Sequence, residues 1–176
     1  MSKIKKITCR DGETFTIGGM EFIKFPGKNG KTPVVMKDIA FRSRFGRTNS
    51  LHDSETFKRL QLEVLPAIIE AVGEENVLEF ETDLTTLDGL KTYAPVKSRI
   101  SLPTLDFYRA NAEIFGKFKP DRWWWLATPE SAQPNSDPDW TLCVSPSGFI
   151  FSGFYFYDDV LGVRPFCIFN SSIFES

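Results

Sequence analysis

The chain has 176 residues, of which 41% are hydrophobic and 25% are charged, proportions typical of a globular protein with one sizeable core. Its apolar runs fall short of the roughly 18–20 residues that a membrane span needs, and residues 1–6 lead into no signal-peptide core. Cys9, Cys143 and Cys167 are unclustered and odd in number, which argues against a disulfide scaffold and favours a reducing compartment. We therefore expect a single cytoplasmic domain, residues 1–176, that has no membrane partner.

The net charge of −2 conceals an uneven distribution. Residues 1–48 carry 11 Lys or Arg against 4 Asp or Glu, whereas residues 49–176 carry 10 against 19. Such polarity favours attraction of a charged partner. A match between the basic and acidic parts inside one molecule would explain it equally well, and the sequence leaves both interpretations open.

The first forty residues read as a meander of short strands. Residues 14–17 and 21–25 alternate in polarity about a Gly18-Gly19 turn, and residues 32–40 resume as a strand. The turn at residues 27–32 (GKNGKT) has only two residues between its glycines and is followed by a strand pattern. A phosphate-binding loop needs four residues there and a following helix, so we interpret the segment as an ordinary turn.

Basic, aromatic and hydroxyl side chains are mixed in residues 41–47 (FRSRFGR). Arg42 and Arg44 carry the forked guanidinium that binds phosphate. Two interpretations stand here: an anion site, or a surface loop whose arginines face solvent or pair with carboxylates such as Glu79 and Glu81.

The clearest helical pattern covers residues 54–72. Asp53 or Ser54 is suited to cap its start, and Gly73 follows its end. Pro66 lies inside the pattern and predicts a kink, because it removes a backbone hydrogen bond. Apolar residues at helical spacing form the predicted buried stripe: Phe57, Leu60, Val64, Leu65, Ile68 and Val72.

Residues 76–84 alternate as a strand with one apolar face and with Glu79, Glu81 and Asp83 on the other. Carboxylates in one row could serve a metal or an acid–base pair, but on an outer strand they usually face solvent. A second helix is predicted through residues 104–115.

Three adjacent tryptophans stand at the centre of the C-terminal half. In a strand, Trp123 and Trp125 share one face and Trp124 takes the other. Large aromatic side chains on both faces predict a central strand, either covered on both sides or covered on one side with a binding surface on the other.

A proline-rich loop at residues 128–139 follows, and then an aromatic hairpin at residues 140–157 with its turn at residues 146–148. Residues 162–169 form the last predicted strand. Short strands and two main helices in this order predict an α+β fold with antiparallel sheets.

Three ordered segments carry a family resemblance: residues 123–129 (WWWLATP), 144–148 (VSPSG) and 162–165 (GVRP). They are similar to the W-W-L-R-[ST]-P, V-N-x-x-G and G-V-R-P-A segments of a bacterial and phage domain family that has no assigned chemistry. The sequence departs from that pattern at Ala127, where Arg is usual, and at Ser145, where Asn is usual. Upstream segments also look like the family: residues 21–25, 63–66 and 101–108.

The C-terminal pattern in turn resembles the C-type-lectin-like fold of formylglycine-generating enzymes and of the variable proteins of diversity-generating elements. The resemblance implies a binding scaffold with variable loops, of a kind found in prophages. It also suggests calcium and sugar ligation at residues 133–135 (QPN), although the companion W-N-D triplet is absent. Copper chemistry would need Cys143 and Cys167 close together on neighbouring strands, whereas buried thiols are the ordinary outcome.

We expect a non-enzymatic phage- or prophage-type accessory protein without a cofactor. It would bind a partner protein or a small anionic, nucleotide-like ligand in the host cytoplasm, and it could counteract a host defence by sequestration. The expected contacts are stacking from Trp124, Trp140, Tyr155 and Tyr157, with Arg164, Arg42 and Arg44 for an anionic group.

Other function classes stay open behind this expectation. A capsid or tail component would use strand edges for assembly, and a homo-oligomer fits that class. A calcium-dependent lectin ranks lower. An enzyme ranks last, because acidic pairs such as Asp158 and Asp159 have no identifiable partner base, and the single histidine, His52, suits a cap or the surface. Nucleic acid is not the expected partner.

Overall fold

A computed structural model describes residues 4–132, 140–152 and 160–176. Tyr155, Tyr157 and residues 133–135 lie outside the described residues. The fold is mixed α+β, with mostly antiparallel sheets, one main helix and several small ones. Its strands are β1 Thr14–Ile17, β2 Met20–Lys24, β3 Lys31–Met36, β4 Phe41–Ser43, β5 Phe80–Thr82, β6 Val96–Ser98, β7 Trp124–Pro129, β8 Thr141–Val144, β9 Ile150–Phe151, β10 Leu161–Val163 and β11 Phe166–Asn170.

The first sheet has the order β1-β2-β3-β11, and every neighbouring pair in it is antiparallel. The predicted meander is confirmed for β1 to β3. The last strand of the chain returns to pair with β3, with Cys167 opposite Val34. The alternation of apolar residues along these strands places Val34 in one hydrophobic cluster and Val35 in another, so this sheet is covered on both faces.

The second sheet has the order β4-β10-β7-β8-β9. The tryptophan strand β7 is its third and central strand, and all six residues of β7 are buried. β7 pairs antiparallel with β8 and parallel with β10, where Gly162 lies opposite Trp124. The prediction of a central strand that is covered on both sides is therefore confirmed.

The main helical segment begins after Ser54, whose hydroxyl accepts a hydrogen bond from Phe57 N. It consists of α1 Glu55–Arg59, a π-helical turn Leu60–Val64 and α2 Leu65–Val72. The π turn ends two residues before Pro66, which cannot donate a backbone hydrogen bond. The helix thus contains a wider turn ahead of Pro66, and the kink stays a prediction.

The second predicted helix is broken, so the expectation of two main helices is wrong. It divides into α3 Leu105–Ala110 and α4 Ala112–Phe115. Asn111 between them leaves the helical conformation, at φ −121° and ψ 26°. Its side-chain amide donates to Phe107 O, a local bond of the kind that competes with helix backbone.

The carboxylate row lies on a shorter strand than the sequence predicts. β5 spans three residues and pairs with β6. Glu79, Glu81 and Asp83 are exposed, whereas Thr82 and Leu84 are buried, so the predicted two-faced pattern is confirmed. Among the described residues no helix is long and apolar enough to cross a membrane.

Candidate binding site at the C-terminal strands

The three tryptophans separate onto two faces, as strand geometry requires. Trp125 lies in the same hydrophobic cluster as residues of the main helix, and Trp123 packs against that cluster. Trp124 belongs to the second cluster, beside α3 and α4. The Trp125 indole donates a 2.9 Å hydrogen bond to Ser43 O, so its polar group is satisfied inside the protein.

Trp124 and Arg164, both predicted as ligand contacts, lie against each other in the interior. Each is 1% exposed. The Arg164 guanidinium carbon lies 4.8 Å from the centre of the Trp124 ring and 5.6 Å from that of Phe115. This is a cation–π stack between protein groups, and neither side chain reaches the surface.

Arg164 also joins three separate segments of backbone. Its Nε donates to Met36 O at 3.1 Å, and one terminal nitrogen donates to Lys37 O at 2.8 Å and to Phe118 O at 3.4 Å. Burial lowers the pKa of Arg164 to about 10, and the charge of Asp38 acts in the opposite direction. Because this pKa stays well above 7, the guanidinium is charged at neutral pH.

Of the predicted aromatic contacts that the structure describes, Trp140 is accessible, with 47% of its surface exposed. Its backbone carbonyl accepts from Glu130 N and from the Asn49 side-chain amide, which holds the start of β8 in place. The aromatic ring is therefore carried on an anchored backbone. The stacking contacts predicted for Tyr155 and Tyr157 stay predictions.

Arg42 and Arg44 are exposed, and they lie on and just after β4. β4 and β9 are the opposite ends of the second sheet. The structure therefore does not bring Arg42 to the edge that carries the aromatic hairpin. Glu79, a proposed partner for these arginines, pairs with Lys97 at 3.2 Å instead.

A second group of accessible aromatic rings stands at the β9 end of the sheet. Phe149 and Phe151 are 55% and 41% exposed. Trp123 contacts both rings, with ring centres 5.8 and 5.3 Å apart. We call these three residues the aromatic edge. The sequence shows the aromatic hairpin, but the place of β9 at the end of the sheet depends on long-range pairing that no local pattern reveals.

Concave regions also surround Asp83, the largest with a volume of about 390 Å³. Some polar groups around Asp83 bond one another: Thr85 donates to Asp83, and Arg109 pairs with Asp106 at 2.8 Å. The hydrogen bonds from Thr85 lower the pKa of Asp83. The candidate site is assigned to the exposed aromatic rings, because exposed apolar groups in one patch mark interaction surfaces.

The groups considered for chemistry are dispersed. Cys143 and Cys167 lie in β8 and β11, strands of different sheets, and both thiols are buried, which is the expected outcome rather than a reactive pair on neighbouring strands. Burial raises the pKa of Cys167 far above its usual range, which keeps that thiol protonated and unreactive. His52 is exposed, with Nε2 2.7 Å from Ala94 O. No group of three or more metal-ligating side chains occurs within residues 4–132, 140–152 and 160–176.

Comparison of the chain with models of protein families, with curated proteins and with solved structures gave no match.

Proposed function

We propose that this chain is a non-enzymatic accessory protein of the phage or prophage type, which binds a partner through the C-terminal aromatic loops. The partner is a host protein or a small ligand, and sequestering it would counteract a host defence. The C-type-lectin-like fold belongs to the same proposal. The motif resemblance supports that fold, and the mixed α+β architecture with its mostly antiparallel sheets is compatible with it.

One observation carries the binding proposal: the exposed large apolar side chains are concentrated in one part of the chain. Four of the six among the described residues fall within residues 140–160. Their neighbours in β7, β8 and β10 are buried. Exposed apolar groups that form one patch mark interaction surfaces, and of these residues Phe149 and Phe151 share a contact with Trp123. The six are Leu62, Leu87, Trp140, Phe149, Phe151 and Val160.

The aromatic rings of this surface also suit recognition. Aromatic side chains supply large contact area at a small cost in conformational entropy, and they are enriched at the centres of interfaces. Trp123 supports Phe149 and Phe151 from behind through edge-on ring contacts. A partner would therefore meet a pre-arranged group of rings.

The test uses the full-length chain expressed in a plausible bacterial host, purified gently and examined by native mass spectrometry. We expect a retained ligand or protein with the wild type and its loss from the double variant Phe149→Ser, Phe151→Ser. Leu62→Ser is the matched control, because Leu62 is 78% exposed on the π-helical turn and lies outside this surface. A bare mass for all three proteins, or equal retention by all three, would contradict the proposal.

A nucleotide-like ligand is the specific small-molecule form of this proposal. Exposed rings such as Trp140 suit stacking on a base, and arginines suit a phosphate. Calorimetry with mononucleotides and cyclic nucleotides tests it. We expect heat of binding that falls in Trp140→Ala, and the absence of heat across the panel would eliminate nucleotides as the ligand class.

A virion structural role is the second candidate, and the position of β9 favours it. β9 has two residues and is the last strand of its sheet among the described residues. Unpaired edges of sheets recruit further strands in assemblies. Light scattering over a concentration series tests this role: growth into oligomers supports a capsid or tail component, and a monomer at high concentration contradicts it.

A further inference from the structure

A concave region lies between strand β5, the start of α3 and strand β11. Its volume of about 240 Å³ is below the roughly 300–1,000 Å³ of pockets that hold drug-sized molecules, and we call it the β5 cavity. It adjoins the larger concave region at Asp83, because Glu81 and Asp83 line both. The aromatic edge contributes no residue to the β5 cavity, so a ligand here is independent of the proposed function.

Half of the residues that line the β5 cavity are apolar, and three of these are phenylalanines. The ring centre of Phe166 lies 5.2 Å from that of Phe80 and 4.9 Å from that of Phe107. Phe80 and Phe107 are half-buried, so part of each side chain is accessible to a ligand. Covering apolar surface is favourable, and the face of an aromatic ring attracts a cation. The other two apolar residues are Leu102 and Ile168.

The charged residues that line the β5 cavity are all acidic: Glu81, Asp83 and Asp106. Two basic residues stand near them. Arg109 pairs with Asp106 at 2.8 Å, and Lys91 lines the larger region beside Asp83. Both bases line adjoining regions and not the β5 cavity itself. The potential inside the β5 cavity is therefore negative and favours a positively charged ligand.

Glu81 is a carboxylate that a ligand can reach. It is exposed, and it takes part in none of the six ion pairs among the described residues. Lys97 lies opposite Glu81 across β5 and β6, but the Lys97 ammonium bonds Glu79 at 3.2 Å. Glu81 therefore keeps oxygen acceptors for the donors of an ammonium group.

We propose that the β5 cavity binds a small organic amine, whose ammonium group is held by Glu81 and Asp83 and whose aromatic or alkyl body covers the phenylalanine rings. The negative charge and the apolar wall both select for this chemistry. A metal ion takes oxygen ligands alone and would leave the apolar wall uncovered. A long basic peptide would extend into the adjoining regions, where the two basic side chains repel it.

Titration of the full chain, labelled with nitrogen-15, with 2-phenylethylamine tests the proposal by amide chemical shifts. We expect saturable shifts at residues 80–83 and 104–107, which line the β5 cavity or lie beside it. At equal ionic strength, the neutral probe 2-phenylethanol should bind at least about 5-fold more weakly, and the anion 3-phenylpropionate should not saturate these residues. Methylamine keeps the ammonium group without the ring, so it should bind more weakly than 2-phenylethylamine.

Glu81→Gln removes one charge from the β5 cavity and should weaken the binding of 2-phenylethylamine by roughly 2–5-fold, the effect of one exposed ion pair. Glu79→Gln is the matched control. Glu79 is exposed on the same segment, pairs with Lys97 and does not line the β5 cavity, so its variant should bind as the wild type does. Both side chains are at the surface, and we expect both variants to fold.

Several results would overturn the proposal. Equal affinity for the amine and the alcohol would show that the carboxylates do not select the ligand. Equal weakening by Glu81→Gln and Glu79→Gln, or shifts confined to the aromatic edge, would place the amine elsewhere. Shifts at residues 80–83 with a lysine-rich peptide and none with 2-phenylethylamine would identify a basic protein segment as the occupant instead.

Discussion

At the scale of single residues, three identical neighbours have three different environments. Trp123 is half-buried at the aromatic edge, Trp124 stacks on Arg164, and Trp125 is bonded to Ser43 O. The period of two residues predicts which of them share a face. It does not predict the hydrogen bond of Trp125 or the burial of Arg164, because both depend on segments far away in the sequence. Exposure of Arg164 is the natural expectation for an arginine, and the protein instead surrounds it with carbonyl oxygens and rings.

Replacement of Trp125 by Phe should therefore destabilise the fold. The variant leaves Ser43 O without its donor in the interior, at a cost of about 1–3 kcal/mol in the free energy of unfolding. Urea denaturation followed by circular dichroism measures it. Trp140→Phe is the control, and we expect a change of less than about 0.5 kcal/mol there, because that ring is 47% exposed. Equal stability of Trp125→Phe and the wild type would show that the bond contributes nothing.

Cys167 should make stability depend on alkaline pH. Burial raises the pKa of its thiol above the usual 9.0 in the folded state. The folded protein then keeps the proton while the unfolded chain releases it, so the free energy of unfolding falls as pH rises above 9.0, by at most about 1.4 kcal/mol per pH unit. Below that pH the contribution is fully present. Denaturation curves of wild type and Cys167→Ala at several pH values around 9.0 give the free energy of unfolding as a function of pH for each protein. We expect a steeper fall in the wild type. Equal slopes in the two proteins would contradict a raised pKa of Cys167 in the folded state.

At the scale of elements, sequence patterns predict where a helix or strand lies along the chain better than they predict how long it is. The predicted burial of the apolar stripe of the main helix is confirmed for Leu60, Ile68 and Val72, which are fully buried. The π turn and the break at Asn111 escape the pattern, because a side-chain amide and one missing N–H decide them locally. Strand β5 is shorter than its alternation suggests, since alternation continues wherever one side of an extended segment is buried, whether or not a partner strand is present.

The predicted N-cap of the main helix, Ser54, can be tested directly by substitution. Ser54→Ala removes the acceptor for Phe57 N, which should cost about 1 kcal/mol in the free energy of unfolding. Ser50→Ala is the matched control, because Ser50 precedes a 3-10 turn and its side chain makes no capping bond. Urea denaturation of both variants compares them, and an equal loss of stability in the two would refute the capping role of Ser54.

At the scale of the whole molecule, charge and exposed aromatic surface define how a partner would approach. The six ion pairs among the described residues each join two residues within 1–48 or two within 49–176. These six pairs do not join the basic part to the acidic part, and both interpretations of the uneven charge, steering of a charged partner and a match inside one molecule, stay predictions. Of the candidate site, the sequence predicts the aromatic hairpin. It does not predict which rings are exposed, since that follows from the order of strands in the second sheet.

Site-specific photo-crosslinking at Phe149, in the full chain and inside a plausible host cell, tests the central claim most directly. The photoreactive phenylalanine analogue at position 149 should give a crosslinked product with one partner, and the same analogue at Leu62 should not. The mass of the product distinguishes a protein, a small ligand and a second copy of the chain. Products from both positions in equal yield, or from Leu62 alone, would contradict binding through the aromatic edge.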